Sequence, residues 1–255
     1  MSSGSIPVTP ALGVAIALLL IAAAAVSGLG RLARFRHVLF AGVRGAVQLA
    51  VVSLLIAYLV ESTALAALFI VLMFVVAAHT AGRRITDDRS WLWAGLPIAA
   101  GVAPAVGLLV VTGAVPLTGL VLIPLVGQLI GGAMVATALA GKRLLDELHQ
   151  RRGEVEAALS LGMTDRLARL EIARPSAGGA LVPALDQTRT VGTVTLPGAF
   201  VGMLLGGATP VQAGVVQLYV LVALLAVESV AILVALEIVA RGLLTRSGKP
   251  LFFRA

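Results

Sequence analysis

The chain has 255 residues, of which 59% are apolar and 12% charged, and its mean hydropathy is +1.05. Soluble domains are about one quarter charged, so 31 charged side chains cannot cover a chain of this size in water, and a soluble globule is excluded. The net charge of +7 is apportioned loop by loop, which points to a membrane and not to nucleic acid, while the absence of Cys excludes disulfides and thiolate metal sites.

A hydrocarbon core about 30 Å thick takes roughly 20 apolar residues of helix. Punctuated by Gly, Pro and charge, the chain offers seven such runs: Ala11 to Ser27, Val38 to Val60, Ala64 to Gly82, Trp91 to Gly113, Leu117 to Ala140, Arg189 to Gly207 and Ala213 to Ala240. They are continuous and rich in Ala and Leu, without the alternation of a transmembrane barrel, so the expected class is all-α and polytopic. The first loop carries Arg31, Arg34 and Arg36, and the third Arg83, Arg84 and Arg89. The fifth carries Lys142, Arg143, Arg151, Arg152, Arg166, Arg169 and Arg174, and the tail Arg241, Arg246, Lys249 and Arg254. The intervening loops carry none, so the positive-inside rule puts the N-terminus outside and the C-terminus inside. Small residues at Ala22 to Ala25 suggest a cleavage region, but Met1 to Thr9 has no basic segment, so the first run reads as a span rather than a signal peptide.

The longest hydrophilic stretch runs from Gly141 to Pro175, and its first part reads as a solvated charged helix. Then come Glu156, Ala157 and Ala158, three residues, Gly162, nine residues, Ile172, one residue, and Arg174 with Pro175. This resembles the EAA signature of ABC transporter permeases, with Arg174 in a position where that signature has Leu. Two short helices joined at a Gly, which tolerates positive φ, make a stiff knob on the next span. Gly162 ends the first helix and Thr164 or Asp165 caps the second. Leu161, Met163, Leu167 and Leu170 offer an apolar face to a partner's groove. The competing reading is an amphipathic helix on the membrane surface.

Three further stretches are Arg44-Gly-Ala-Val-Gln-Leu49, Ile123-Pro-Leu-Val-Gly127 with Gly131 to Ala136, and Thr190-Val-Gly192 with Leu196-Pro-Gly198. Together with the EAA-like segment they resemble the FetB-type family of iron-export ABC permeases, which also contains plant permeases of aluminium resistance. The likeness covers about residues 40 to 240. The chain departs from it at Gly132, where Asn is frequent, and at Ala199 and Phe200, where a Met pair is frequent. The resemblance implies a plasma-membrane permease acting as a homodimer on a separate ATPase subunit that holds ATP and Mg. It implies export of iron or another cation, or a non-metal substrate such as a nucleotide sugar. Coupling to the ATPase would fall to Glu156, Ala157, Ala158, Gly162, Leu167, Leu170 and Ile172. The chain itself has no Walker loop, since Ser247-Gly-Lys249 is too short a fragment, so it carries no cofactor of its own.

Polar groups within spans are functional candidates by default. Arg44 and Gln48 share a face of the second run, where Arg44 either pairs with Glu237 or Asp186 as an inner gate or simply snorkels. Gln128 adds a polar position in the fifth run. Glu228, near the middle of the last, faces a cation or water, or is an uncharged carboxyl bonded between helices. Asp186 and Arg189 have the spacing of a helical ion pair, for gatekeeping or capping. Gly127 and Gly131 form a small-residue stripe in the fifth run, as do Gly198, Gly202 and Gly206 in the sixth, where the stripe follows Pro197 and serves as a moving or pore-lining element or as static packing. His79, Met134 and Met203 stand alone, so no metal site is named, and no catalytic grouping is found. A stand-alone secondary transporter or channel, with Glu228 carrying a proton, is the other reading.

Overall fold

The computed structural model describes residues 9–113 and 115–246; Lys249, Arg254 and the Ser247-Gly-Lys249 fragment lie outside them. The chain forms two compact units, divided after Ser62. In the first, α1 (Pro10–Leu29) begins at Thr9, whose hydroxyl accepts the Leu12 N–H, with Pro10 in the position that needs no donor. A turn containing Arg31 at φ 54° leads into α2 (Phe35–Glu61). The two helices pack where the Leu20 side chain covers Gly42, leaving no room for a Cβ.

The second unit starts with α3 (Thr63–Ile85). A 3-10 segment (Arg89–Ala94), capped by Asp88 on the Ser90 N–H, runs directly into α4 (Gly95–Thr112). Then follow α5 (Gly119–Gln150), α6 (Arg152–Ser160), α7 (Asp165–Ala177), α8 (Val182–Thr190), α9 (Gly198–Leu205) and α10 (Pro210–Ala240). A full capping box of Thr209 and Gln212 starts α10, with Pro210 at its first position. The core lies where α10 packs on α4 and α5, and α5 on α3. Alanine is its most frequent residue, with Ala133, Ala136, Ala140, Ala231 and Ala235 each 0% exposed. Bilayer tails are as apolar as Leu, so helices associate through close backbone approach, which small residues allow. Gly101 of α4 is the tightest case on α10, since a Cβ there would lie 2.5 Å from the Val227 carbonyl oxygen.

All described structure is helical apart from an isolated bridge between Val191 and Thr195. Six helical stretches among the described residues are long and apolar enough to cross a membrane, and the chain is a multi-pass membrane protein. Five of the expected runs and the last reappear with shifted ends. The run expected from Arg189 to Gly207 does not form one helix. It is α8 and α9 separated by a turn in which Val191 is extended, Gly192 has φ 80°, and Pro197 is extended again. The Thr190 carbonyl receives the N–H groups of Thr193, Val194 and Thr195, closing the chain on itself instead of propagating a helix. Another difference is at α5, where the expected span and the charged segment after it are one helix of 32 residues. At about 1.5 Å per residue it is roughly 48 Å long and stands well beyond a hydrocarbon core of about 30 Å.

Candidate functional site

The knob expected between Glu156 and Ile172 takes the form of α6 and α7 joined at Gly162, whose φ is 89°. Only glycine adopts this backbone without strain. Thr164 is the cap of α7, its hydroxyl accepting the Leu167 N–H. The apolar positions divide between two duties. Val155, Ala168 and Leu170 are buried and fasten the knob to the bundle, with Ala158 and Ile172 packed partly against the same core. Leu161 is 86% exposed and Leu167 45%, so these two project outward, flanked by exposed Ala157. Glu156 stands on the exposed side with its carboxylate 2.8 Å from Arg152. Glu154 is held below the usual carboxylate range by its hydrogen bonds from Arg151.

Electrostatic ties fix the knob to α10. Glu237 accepts from both arms of Arg166, at 2.6 and 2.8 Å, and from Arg241 at 2.6 Å. This planar fork sets direction as well as distance, and it raises the Arg166 guanidinium further above its ordinary value. Arg169, 8% exposed, pairs with Asp165 at 3.4 Å and lies against Gly242. Both carboxylates offered as partners for Arg44 therefore have other cations. Glu237 belongs to the knob's attachment, and Asp186 lies 3.9 Å from Arg189 at the exposed end of α8. Arg44 and Gln48 lie a turn apart on α2 of the first unit.

Within the bundle, Glu228 is 8% exposed on α10, and among the described residues its carboxylate has no hydrogen-bond or ion-pair partner. It faces Gly132 of α5, where a Cβ would meet Leu224 Cδ2 at 2.6 Å and Glu228 Oε1 at 2.7 Å. Gly132, noted above as a departure from the family resemblance, is thus the neighbour of a carboxylate buried between these helices. Gln128, a turn earlier on α5, is exposed. Among the described residues, two polar atoms that the sequence reading did not single out are also buried without partners, Thr137 Oγ1 and Gln217 Oε1. The signal for Gln217 was available: a lone amide within an apolar run. It lines a cavity of about 220 Å³ together with Val191, Gly192, Pro197 and Phe200, so the broken element and α10 share a space.

The glycine stripes fare differently. Gly127 takes the Met73 side chain of α3 against it, but nothing lies within 4 Å of a Cβ built on Gly131, Gly198 or Gly202. No residue of α9 is buried. His79 packs edge-on against Trp91, with ring centroids 4.9 Å apart. Among the described residues no three His, Asp or Glu side chains converge as a metal site.

The model of the family described as "Uncharacterised protein family (UPF0014)" matches residues 10–244. The chain belongs to this family. It is 33% identical over 211 residues to "UPF0014 membrane protein STAR2" of Oryza sativa subsp. japonica, covering 82% of this chain and 74% of that one. It is 35% identical over 181 residues to "Protein ALUMINUM SENSITIVE 3" of Arabidopsis thaliana, covering 70% and 66%. To the protein named "Probable iron export permease protein FetB" of Escherichia coli it is 28% identical over 225 residues, 87% of each chain. No solved structure matches this UPF0014 chain.

Proposed function

We propose that this UPF0014 protein is the membrane-spanning subunit of an ABC transporter that exports iron or another metal cation. It works as a plasma-membrane homodimer with two copies of a separate ATPase, which bind ATP and Mg. The observation that carries this reading is the α6–Gly162–α7 knob, with Leu161 and Leu167 projecting from it and Arg166 tied to Glu237 of α10. The relative named "Probable iron export permease protein FetB", alike over most of both chains, supports the cargo.

In this reading the basic loops face the cytoplasm, the N-terminus is outside, and α8, its turn and α9 make the seventh crossing as a broken element. Closing of the ATPase pair presses on Leu161 and Leu167. Displacement passes through Arg166 and Glu237 to α10, which carries Glu228 at the level of Gly132, and the spans exchange inward for outward access. Glu228 supplies the carboxylate for a cation, while Pro197, Gly198 and Gly202 belong to the moving element.

The test is ATP-dependent accumulation of radioactive iron in inside-out vesicles containing this chain and its ATPase. Uptake that requires ATP and is lost in Glu156→Lys is expected. An assembled, ATPase-active complex without iron uptake would reject iron and direct attention to a non-metal cargo such as a nucleotide sugar. Failure of the two proteins to associate would favour a stand-alone secondary transporter, the alternative that rests on the buried Glu228.

A further inference from the structure

A second, strongly charged cavity, lined by neither Glu228 nor the knob's projecting leucines, lies at the junction of α3, α5 and the segment after α10. Its volume is about 210 Å³. Arg83, Arg84, Lys142 and Arg246 line it against Asp87 and Asp146, four cations to two carboxylates. Two of the cations are already committed. Arg246 pairs with Asp146 at 2.7 Å, and Arg83 donates to the Asp87 carbonyl at 2.8 Å. Arg84 and Lys142 are exposed and, among the described residues, have no hydrogen-bond or ion-pair partner.

The walls are fixed from several directions. Gly141 lets Ile85 of α3 pack onto α5, since a Cβ there would lie 2.6 Å from Ile85 Cδ1. Gly82 lets the Trp91 backbone close over α3. The segment after α10 is clamped by Asp88, which accepts from Ser90 and from the Thr245 hydroxyl at 3.1 Å, while the Thr245 N–H donates to Ser90 Oγ at 3.2 Å. The backbones that carry the two uncommitted cations are therefore fixed beside a polar cavity, so that binding an anion there has only the two side chains to order. The cavity also sits where the apolar parts of α3 and α5 give way to charge, at Arg83 and at Lys142, which is the depth of lipid headgroups.

We propose that this cavity binds a phosphate group, with Arg84 and Lys142 as its principal ligands and Arg83 and Arg246 completing the field. Phosphate is the class that matches, because a guanidinium fork and an ammonium donate charge-assisted hydrogen bonds to separate oxygens of one anion. An anionic phospholipid headgroup and free phosphate share that chemistry. The inference does not depend on the transport reading.

The full chain, purified in detergent and stripped of lipid, is titrated with phosphatidylglycerol, phosphatidylcholine and, separately, sodium phosphate. Bound lipid is counted by native mass spectrometry and bound phosphate by phosphorus NMR. Phosphatidylglycerol is expected to bind about tenfold more tightly than phosphatidylcholine, and Arg84→Gln with Lys142→Gln to weaken it by at least about tenfold, while Lys142→Arg retains it. Saturable binding of inorganic phosphate with the same dependence on Arg84 and Lys142, without lipid preference, assigns the site to the soluble anion. Binding of neither, or phosphatidylglycerol binding unchanged in the double variant, overturns the proposal. Should the variants lose their fold, displacement of phosphatidylglycerol by phosphate in the unmodified chain decides the matter: no displacement at high phosphate counts against a shared site.

Discussion

Glu237 accepts hydrogen bonds from guanidinium groups on both sides of the knob's attachment, Arg166 of α7 and Arg241 just past α10. Ion pairs this accessible to water add little to stability, so the value of the arrangement lies in its fork geometry. Glu237→Gln is expected to leave helix content and ATPase association unchanged while lowering ATP-driven uptake severalfold. Glu228 has the opposite setting, buried and without a partner among the described residues. Glu228→Gln keeps its shape and removes its capacity to ionise, so the protein is expected to fold and to melt no earlier, with iron uptake reduced at least about tenfold. Burial of Asp88 works to raise its carboxyl, but hydrogen bonds from Ser90, Thr245 and Thr86 outweigh it and hold the group below its ordinary value of 3.8. A lowered folded value contributes stability that is fully present above the unfolded value and is lost as the pH falls through the folded one. Melting of the detergent-solubilised chain is therefore expected to drop below about pH 4, and part of that drop to disappear in Asp88→Asn.

Most of the helices were legible because each contains one continuous apolar run, and six of the seven runs reappear, five with ends displaced by a few residues and the fifth extended by ten, to Gln150. The exception is instructive. Hydropathy adds Val191, Val194 and Leu196 to the glycines around them and returns a span, yet Gly192 and Pro197 deny that stretch a continuous ladder. Those two residues were visible as breakers; a sum over a window cannot see them. The knob was readable in detail, since Gly162 and Thr164 act locally. Its attachment was not, because Glu237 is 71 residues from Arg166 and nothing along the chain links them. Contacts between helices were equally hidden, and Gly101 illustrates the consequence. A side chain there must displace the α10 backbone at Val227, so Gly101→Leu is expected to cost about 1–3 kcal/mol, read as an earlier thermal unfolding in detergent. Gly132→Ala should be milder, because the atoms it meets are the far ends of Leu224 and Glu228.

At the scale of the whole molecule, orientation is the property that the proposed mechanism most depends on, and the sequence makes it easy to test. The chain has no Cys, so a single introduced thiol reports its own side of the membrane. Ser160→Cys, at the end of α6, is expected to react with an impermeant maleimide only in inside-out vesicles, and Thr118→Cys, ahead of α5, only in right-side-out ones. Labelling of both from one side would refute the assignment. The unbroken length of α5 gives that arrangement a mechanical character. It is seated on α3 at two glycines, Gly127 against Met73 and Gly141 against Ile85, and it buries side chains from Ile123 to Leu148. A rod gripped at both ends moves as one body, so in the proposed cycle a displacement beside the knob is handed on to the far end of α5 instead of being absorbed on the way.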